Sequence, residues 1–204
     1  MNMFQELDYL IELIFETYIN ISHSWGKNNE HRLFNLKKKC ISGIRDNPAL
    51  FNLIWAYRDF ITLNEEIIHF IFLLGQLKQI INTRIKTRNS IEYKIENYLL
   101  SHENGKVPIN KCLNDLFGIR MILSDDPTHE EIRKHIIEKY PALRCIDSSK
   151  NDYTATHVYF RDDNYSFPWE LQIWKIRDKD NNIKSHKKYK QDYTGWERQS
   201  KGGF

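Results

Sequence analysis

The first eighty residues repeat apolar side chains at spacings of three and four. Phe4, Leu7, Ile11, Ile14, Tyr18 and Ile21 define an amphipathic helix over residues 3–22. Ser22, His23, Ser24, Trp25 and Gly26 interrupt that pattern. A second helix is predicted from about His31 to Ile41, with Leu33, Leu36 and Cys40 inward and Lys37, Lys38 and Lys39 in its last turn, where cations suit the helix dipole. Asn47-Pro48 reads as a helix start, followed by Leu50, Leu53, Ile54, Tyr57 and Ile61 on one face. Asn64-Glu65-Glu66 opens a fourth predicted helix carrying Ile67, Phe70, Ile71, Leu74, Leu77 and Ile81. His69 lies among these apolar residues and is read as a packed helix residue, not a ligand.

The period then changes. A basic stretch, Arg84 to Ile91, leads into a helix with Ile91, Ile95, Tyr98 and Leu99 inward and Ser90 as its N-cap. Asn104-Gly105 is a turn. From there Phe117, Ile119, Met121 and Leu123 alternate as a half-buried strand with Asp115 at its mouth. A helix over about 128–140, ended by Pro141, precedes three strands: Arg144 to Ile146, Thr154 to Phe160, and Phe167 to Trp174. Arg161-Asp162-Asp163-Asn164 turns the last two into a hairpin, and a basic helix follows Lys175. This succession predicts an α/β (α+β) fold: a mixed β-sheet flanked by helices, with an N-terminal helical extension. The division is a helical region at 1–82 packing on the catalytic layer, a catalytic domain at 83–196, and a tail at 197–204.

Composition narrows the class. At 204 residues the chain buries a core without disulfide staples. Its three cysteines, Cys40, Cys112 and Cys145, form no C-x-x-C pair and read as reduced thiols. The most apolar run, Ile67 to Leu77, is too short to cross a bilayer, and no leader peptide is evident. A soluble, cytoplasmic protein is expected. The net charge of +3 does not by itself mark a nucleic-acid binder.

Candidate chemistry gathers on the strands. Asp115 either holds Mg²⁺, which would in turn bind nucleotide phosphates, or caps an element and pairs with Arg120. Glu170 and Gln172 share one strand face, and burying such a pair requires polar partners or a ligand. Tyr153, Ala155, His157 and Tyr159 share a face of the preceding strand, suiting base stacking with a phosphate contact, or ordinary cross-strand pairing.

These residues also carry a resemblance. Arg84-x-Lys86-x-x-x-Ser90-Ile91-x-x-Lys94 resembles the basic ATP-site motif of the RelA/SpoT synthetase family, the alarmone synthetases. Asp115-Leu116-x-Gly118-Ile119-Arg120 is similar to that family's metal-binding strand, and Asn151-x-Tyr153-x-x-x-His157 to its acceptor-nucleotide loop and strand. Glu170-Leu171-Gln172-Ile173 is similar to its second acidic strand, and His186-x-x-Tyr189-Lys190 to its closing helix. The blocks follow the family's order over about residues 84–190, in the form of a small synthetase-only member.

The resemblance implies a nucleotidyltransferase-related fold and a Mg²⁺-dependent pyrophosphokinase that moves the β,γ-pyrophosphoryl group of ATP to the 3′-hydroxyl of GDP or GTP. By the same resemblance Asp115 and Glu170 hold Mg²⁺, and Glu170 also polarises the attacking hydroxyl. Arg84, Lys86, Ser90, Lys94 and Arg120 bind ATP. Lys150, Asn151, Tyr153, His157 and Gln172 bind the acceptor, and Arg133 is taken as the family's second adenine-stacking arginine. Departures exist: Arg144-Cys145-Ile146-Asp147 lacks the family's lysine, the loop before Tyr153 is short, and Asp152 replaces a glycine. A negative charge there disfavours a polyphosphate acceptor. The alternative implied is a toxin that pyrophosphorylates the 3′ end of tRNA and is neutralised by an antitoxin protein, with Lys37–Lys39 and Lys184–Lys190 tracking RNA.

Overall fold

The structure, a computed structural model, describes residues 2–28, 34–66, 68–69 and 78–187. Helix α1 runs Met3–Asn28, with Leu7, Leu10, Ile11, Ile14 and Tyr18 at most 1% exposed. It passes through the expected interruption at 22–26. Trp25 is what carries it on, packing its ring on Tyr57 and Phe60 at 5.4 and 5.1 Å. Helix α2 is Pro48–Leu63; Asn47 caps it by accepting from the Leu50 amide, as its proline start predicts.

The second predicted helix does not form over residues 34–41, which make a turn, a bridge and the start of a 3₁₀ turn at Ile41–Gly43. Its backbone is committed elsewhere. Leu36 N–H donates to Asn164, Lys39 C=O accepts from Ile109, and Cys40 bridges Pro108. The remainder of that predicted helix, 31–33, lies outside the described residues. So do Ile67, Phe70, Ile71, Leu74 and Leu77 of the fourth. Its far end is corrected: Ile81 sits in strand β1, Ile80–Ile85, and not on a helix. His69 is exposed instead of packed, with Nδ1 3.4 Å from Thr83 Oγ1.

Helix α3 follows at Arg88–Ser101, capped by Thr87 and not by Ser90; Thr87 Oγ1 accepts from the Ser90 amide. Strand β2 is Phe117–Leu123, and helix α4 is His129–Lys139, with a capping box between Thr128 and Glu131. Strands β3 (Arg144–Asp147), β4 (Thr156–Phe160) and β5 (Trp169–Lys175) complete the sheet. A 3₁₀ turn, Ile176–Asp178, leads into α5 over 179–187.

The five strands are ordered β1-β2-β5-β4-β3, with β2 and β5 parallel and the other pairs antiparallel, so the mixed sheet flanked by helices is as predicted. The N-terminal helices pack directly on it. Trp169 Nε1 donates to Tyr57 Oη at 2.9 Å, and Phe167 stacks on Tyr57 at 4.8 Å. That face, with Phe117, Ile119, Met121, Leu171 and Ile173, is the main core. The half-buried alternation expected for β2 is replaced by burial on both faces, because the opposite face is roofed too. There Ile122, Ala155 and Trp174 pack with Tyr153 and with Ile183 of α5. The 82/83 division falls inside β1.

Candidate active site

Strand register builds the site. On the face opposite the main core, one row across the sheet reads Arg84, Gly118, Glu170, Tyr159; the next reads Asn82, Arg120, Gln172, His157. Gly118 leaves the gap between Arg84 and Glu170 open, and a methyl added there would touch Arg84 Nε at 3.8 Å. Arg120, Gln172, Glu170, Tyr159 and His157 bond to one another, as burial requires.

Asp115, just ahead of β2, is 9% exposed. Its Oδ2 accepts from Lys86 Nζ at 2.7 Å and its Oδ1 from Lys94 Nζ at 2.9 Å, with Arg84 at 4.0 Å. Burial pushes this carboxyl up, but the two ammoniums outweigh it and hold it far below the usual carboxylate range. Lys94 gains from the same pair: burial opposes its charge, and Asp115 more than restores it. For Lys86 burial prevails, and its pKa is lowered despite Asp115. Arg120, the alternative partner for Asp115, instead donates to Gln172 Oε1 at 3.0 Å and lies 3.6 Å over the Trp174 ring.

Glu170 is 4% exposed. Its Oε1 meets His157 Nδ1 and the Tyr159 hydroxyl, both at 3.0 Å, and its Oε2 accepts from Gln172 Nε2 at 2.7 Å. Burial raises the Glu170 pKa, the His157 contact lowers it further than that, and the nearby Asp115 charge raises it. The two carboxylates therefore feel each other. Tyr159 shares this face, as the alternation predicts, and no motif marks it; burial and the adjoining Glu170 charge push its phenol well above the ordinary range.

Tyr153 is half-buried. Trp174 Nε1 donates to its hydroxyl at 3.2 Å, and that hydroxyl lies 2.9 Å from His157 Nε2. Burial pushes its pKa up to about 12. Both ring nitrogens of His157 thus have protein partners. His186 of α5 stacks on Trp174 at 5.5 Å, and burial with the Arg84 and Arg120 charges pulls it down to about 4. It is neutral near pH 7.

A cavity of about 420 Å³ opens between these groups. Arg84, Lys86, Ser90, Lys94 and Asp115 form one side, and Lys150, Asn151, Tyr153 and His157 another, with Glu170, Gln172 and His186 between. The first turn of α3 faces it through Thr87 and Ser90, and the amides of a helix start favour an anion. Arg120 lies apart, in an adjoining crevice of about 50 Å³ shared with Arg84, Gly118 and Gln172. Arg133 is not brought here: it pairs with Glu130 at 3.2 Å and lines a separate hollow with His129, Cys145 and Asp147. Asp152 is exposed and is not a cavity wall. Tyr189 and Lys190 lie outside the described residues. Thr87, Ser148 and Ser185 are further wall residues that no motif marked. Among the described residues no group of three His, Cys, Asp or Glu side chains converges as a metal cluster, and no helix is long and apolar enough to cross a membrane.

No family model matches the sequence, and no curated protein matches it. Among solved structures the chain is similar to the small alarmone synthetase 1 from Bacillus subtilis, with 15% sequence identity over 72% of this chain and 82% of that one, at a TM-score of 0.41.

Proposed function

We propose that this protein is a Mg²⁺-dependent pyrophosphokinase that transfers the β,γ-pyrophosphoryl group of ATP to the 3′-hydroxyl of GDP or GTP. The observation that carries the reading is convergence: motif blocks spread over a hundred residues of sequence meet at one cavity. In the reaction the 3′-oxygen forms a bond to the β-phosphorus, the bond from that phosphorus to the α–β bridging oxygen breaks, and AMP leaves. Such a transfer needs neutralised charge and in-line positioning more than covalent catalysis.

Arg84, Lys86, Ser90, Lys94 and the start of α3 would hold the triphosphate, with Arg120 beside them. Tyr153, Lys150 and Asn151 would seat the acceptor, with Gln172 and His157 orienting Glu170. A carboxylate offers about four lone-pair positions. The Glu170 contacts use three, which leaves one on Oε2 for the acceptor hydroxyl or for a cation. The site suits Mg²⁺, which is commonly held by one or two carboxylates with water and substrate phosphates completing its shell. Asp115 and Glu170 are the two carboxylates that line this cavity, and they would hold it. The ion would supply charge neutralisation on the phosphates.

A second reading, transfer to the 3′ end of tRNA by a toxin with an antitoxin partner, draws on one observation. Lys184 and Lys187 are exposed on α5, flanking the wall residues Ser185 and His186. Asp152 is exposed, where solvent screens its charge, so the objection it raises to a polyphosphate acceptor is weakened and the nucleotide reading is preferred. Incubation with γ-labelled ATP and GDP, GTP, ATP or tRNA in separate reactions tests both. Label on GDP or GTP with stoichiometric AMP is expected. Label on tRNA alone selects the second reading, and transfer to none of them overturns the first.

A further inference from the structure

The β4–β5 ladder runs from Phe160 opposite Trp169 to Thr156 opposite Ile173 and then stops. Continued in register it would set Thr154 opposite Lys175. In place of that rung stands the side chain of Asn182, from α5. Its Oδ1 accepts from Thr154 N–H at 2.8 Å, and its Nδ2 donates to Thr154 C=O at 2.8 Å. Asn182 is fully buried. A carboxamide suits this place because it offers a donor and an acceptor side by side, as a peptide group does.

The other flank of the same segment is also tied. Ser148 N–H donates to Ala155 C=O at 2.9 Å, and Lys150 and Tyr153 exchange backbone bonds at 2.8 and 3.1 Å. Tyr153 to Ala155 is thus held between the loop that carries Lys150 and Asn151 and the helix that brings Ser185 and His186 to the cavity. We infer that Asn182 is a positioning residue for the acceptor half of the cavity, fixing the backbone that aims Tyr153 and joining α5 to it. The inference rests on the assignment of the Tyr153 side to the acceptor. Ile183 packs near Tyr153 in the small apolar cluster, so α5 keeps an independent hold when the amide is lost.

The test uses the full chain with Asn182→Ala and Asn182→Asp. The aspartate keeps an acceptor for Thr154 N–H but sets a charged oxygen against Thr154 C=O. The first readout is hydrogen exchange, which reports local opening. Exchange at the Thr154 amide is expected to quicken by about tenfold, or about 1.4 kcal/mol, in the alanine variant, which loses both amide contacts. The second readout is kinetic. In both variants the KM for GDP or GTP rises by about tenfold, the KM for ATP moves less than about twofold, and kcat changes least, a pattern of lost acceptor seating. Equal rises in both KM values would make Asn182 a general structural residue and overturn the inference. So would unchanged exchange at Thr154, or normal acceptor kinetics. Exchange is read without nucleotide, so a wild type that transfers to no acceptor would sink the pyrophosphokinase reading while the clamp is still judged on its own readout.

Discussion

Asp115 takes one ammonium on each oxygen, and Lys86 and Lys94 expose only 8% and 15% of their side chains. Removing the carboxylate leaves two cations where water barely reaches, and breaking a buried pair this way costs about 3–5 kcal/mol. Asp115→Asn is therefore expected to lower Tm sharply as well as abolish transfer, and ATP should restore part of the lost stability by mass action. Calorimetry with and without ATP checks this; an unchanged Tm would mean that the lysines find water. The linkage has a sign. Burial already depresses Lys86 in the folded state, and losing Asp115 depresses it further, so the variant should gain stability as pH rises toward the unfolded lysine pKa. Tyr153 shows how contacts revise an expectation drawn from stacking alone. Stacking on an aromatic ring is worth about 1–3 kcal/mol and needs only the ring, so phenylalanine would seem harmless. The hydroxyl, however, sits between Trp174 Nε1 and His157 Nε2. Tyr153→Phe is expected to lower kcat/KM for the acceptor by about threefold to tenfold, and Tyr153→Ala by about tenfold to a hundredfold, with ATP kinetics steady. Acceptor kinetics beside melting curves check it; a fall in Tm alone would reduce Tyr153 to a packing residue.

Elements differ in how plainly the sequence announces them. Helices α1 and α2 and strands β2 and β5 were legible because their apolar side chains recur with a clean period, even though in β2 and β5 the polar face is buried as well. Strand β1 was not. Ile80–Ile85 is an edge strand only partly buried along its length, and Ile81 continues the apolar run before it, so helical spacing absorbed that residue. The segment 34–41 misled for the opposite reason: its apolar residues have helical spacing, but its backbone bonds go to Asn164 and Ile109, far away in sequence. At the site, residue types at family spacing marked Arg84, Lys86, Lys94, Asp115, Tyr153, His157 and Glu170, all of which reach the cavity wall. Their pairing with each other was not readable, since it depends on strand register. Nor was Asn182, whose partner is a backbone group 28 positions away. Helix α3 gives the element-scale prediction. Thr87 caps it, accepting from the Ser90 amide at 3.3 Å and donating to Ser90 Oγ at 2.8 Å. Thr87→Ala is expected to cost about 1 kcal/mol of stability and to raise the KM for ATP several-fold, because Ser90 loses its anchor, while Thr87→Ser restores both. Nucleotide-specific KM values check it, and a change confined to the acceptor would place the donor site elsewhere.

At the scale of the whole molecule, α1 is fastened to α4 and the sheet in two ways that differ greatly in strength. At its start Asp8 accepts from His135 Nε2 at 2.7 Å and Lys139 Nζ at 2.8 Å, and Phe4 stacks on the His135 ring at 4.5 Å, joining α1 to α4. Lys139 is nearly half exposed, and ion pairs of that kind contribute about 0–1 kcal/mol. Along its length Leu7, Leu10, Ile11, Ile14 and Tyr18 are fully buried in the main core. Truncating one such side chain costs about 2–5 kcal/mol. The apolar face, not the ion pairs, is thus what makes the N-terminal helix part of the same folding unit as the sheet. Leu10→Ala is expected to destabilise the protein by several times as much as Asp8→Asn. The two variants should also part company in acid. Burial pushes the Asp8 carboxyl up, but Lys139 and His135 outweigh it and hold it below its unfolded value. A group shifted in this direction contributes its stability above the unfolded pKa, about 3.9 for aspartate, and loses it as pH falls through the folded value. The gap between wild type and Asp8→Asn should therefore close as pH falls below about 4, whereas the Leu10→Ala gap persists there. Denaturant melts at a series of pH values measure both gaps. An Asp8→Asn gap as large as that of Leu10→Ala would reverse the ranking and make α1 an electrostatic attachment.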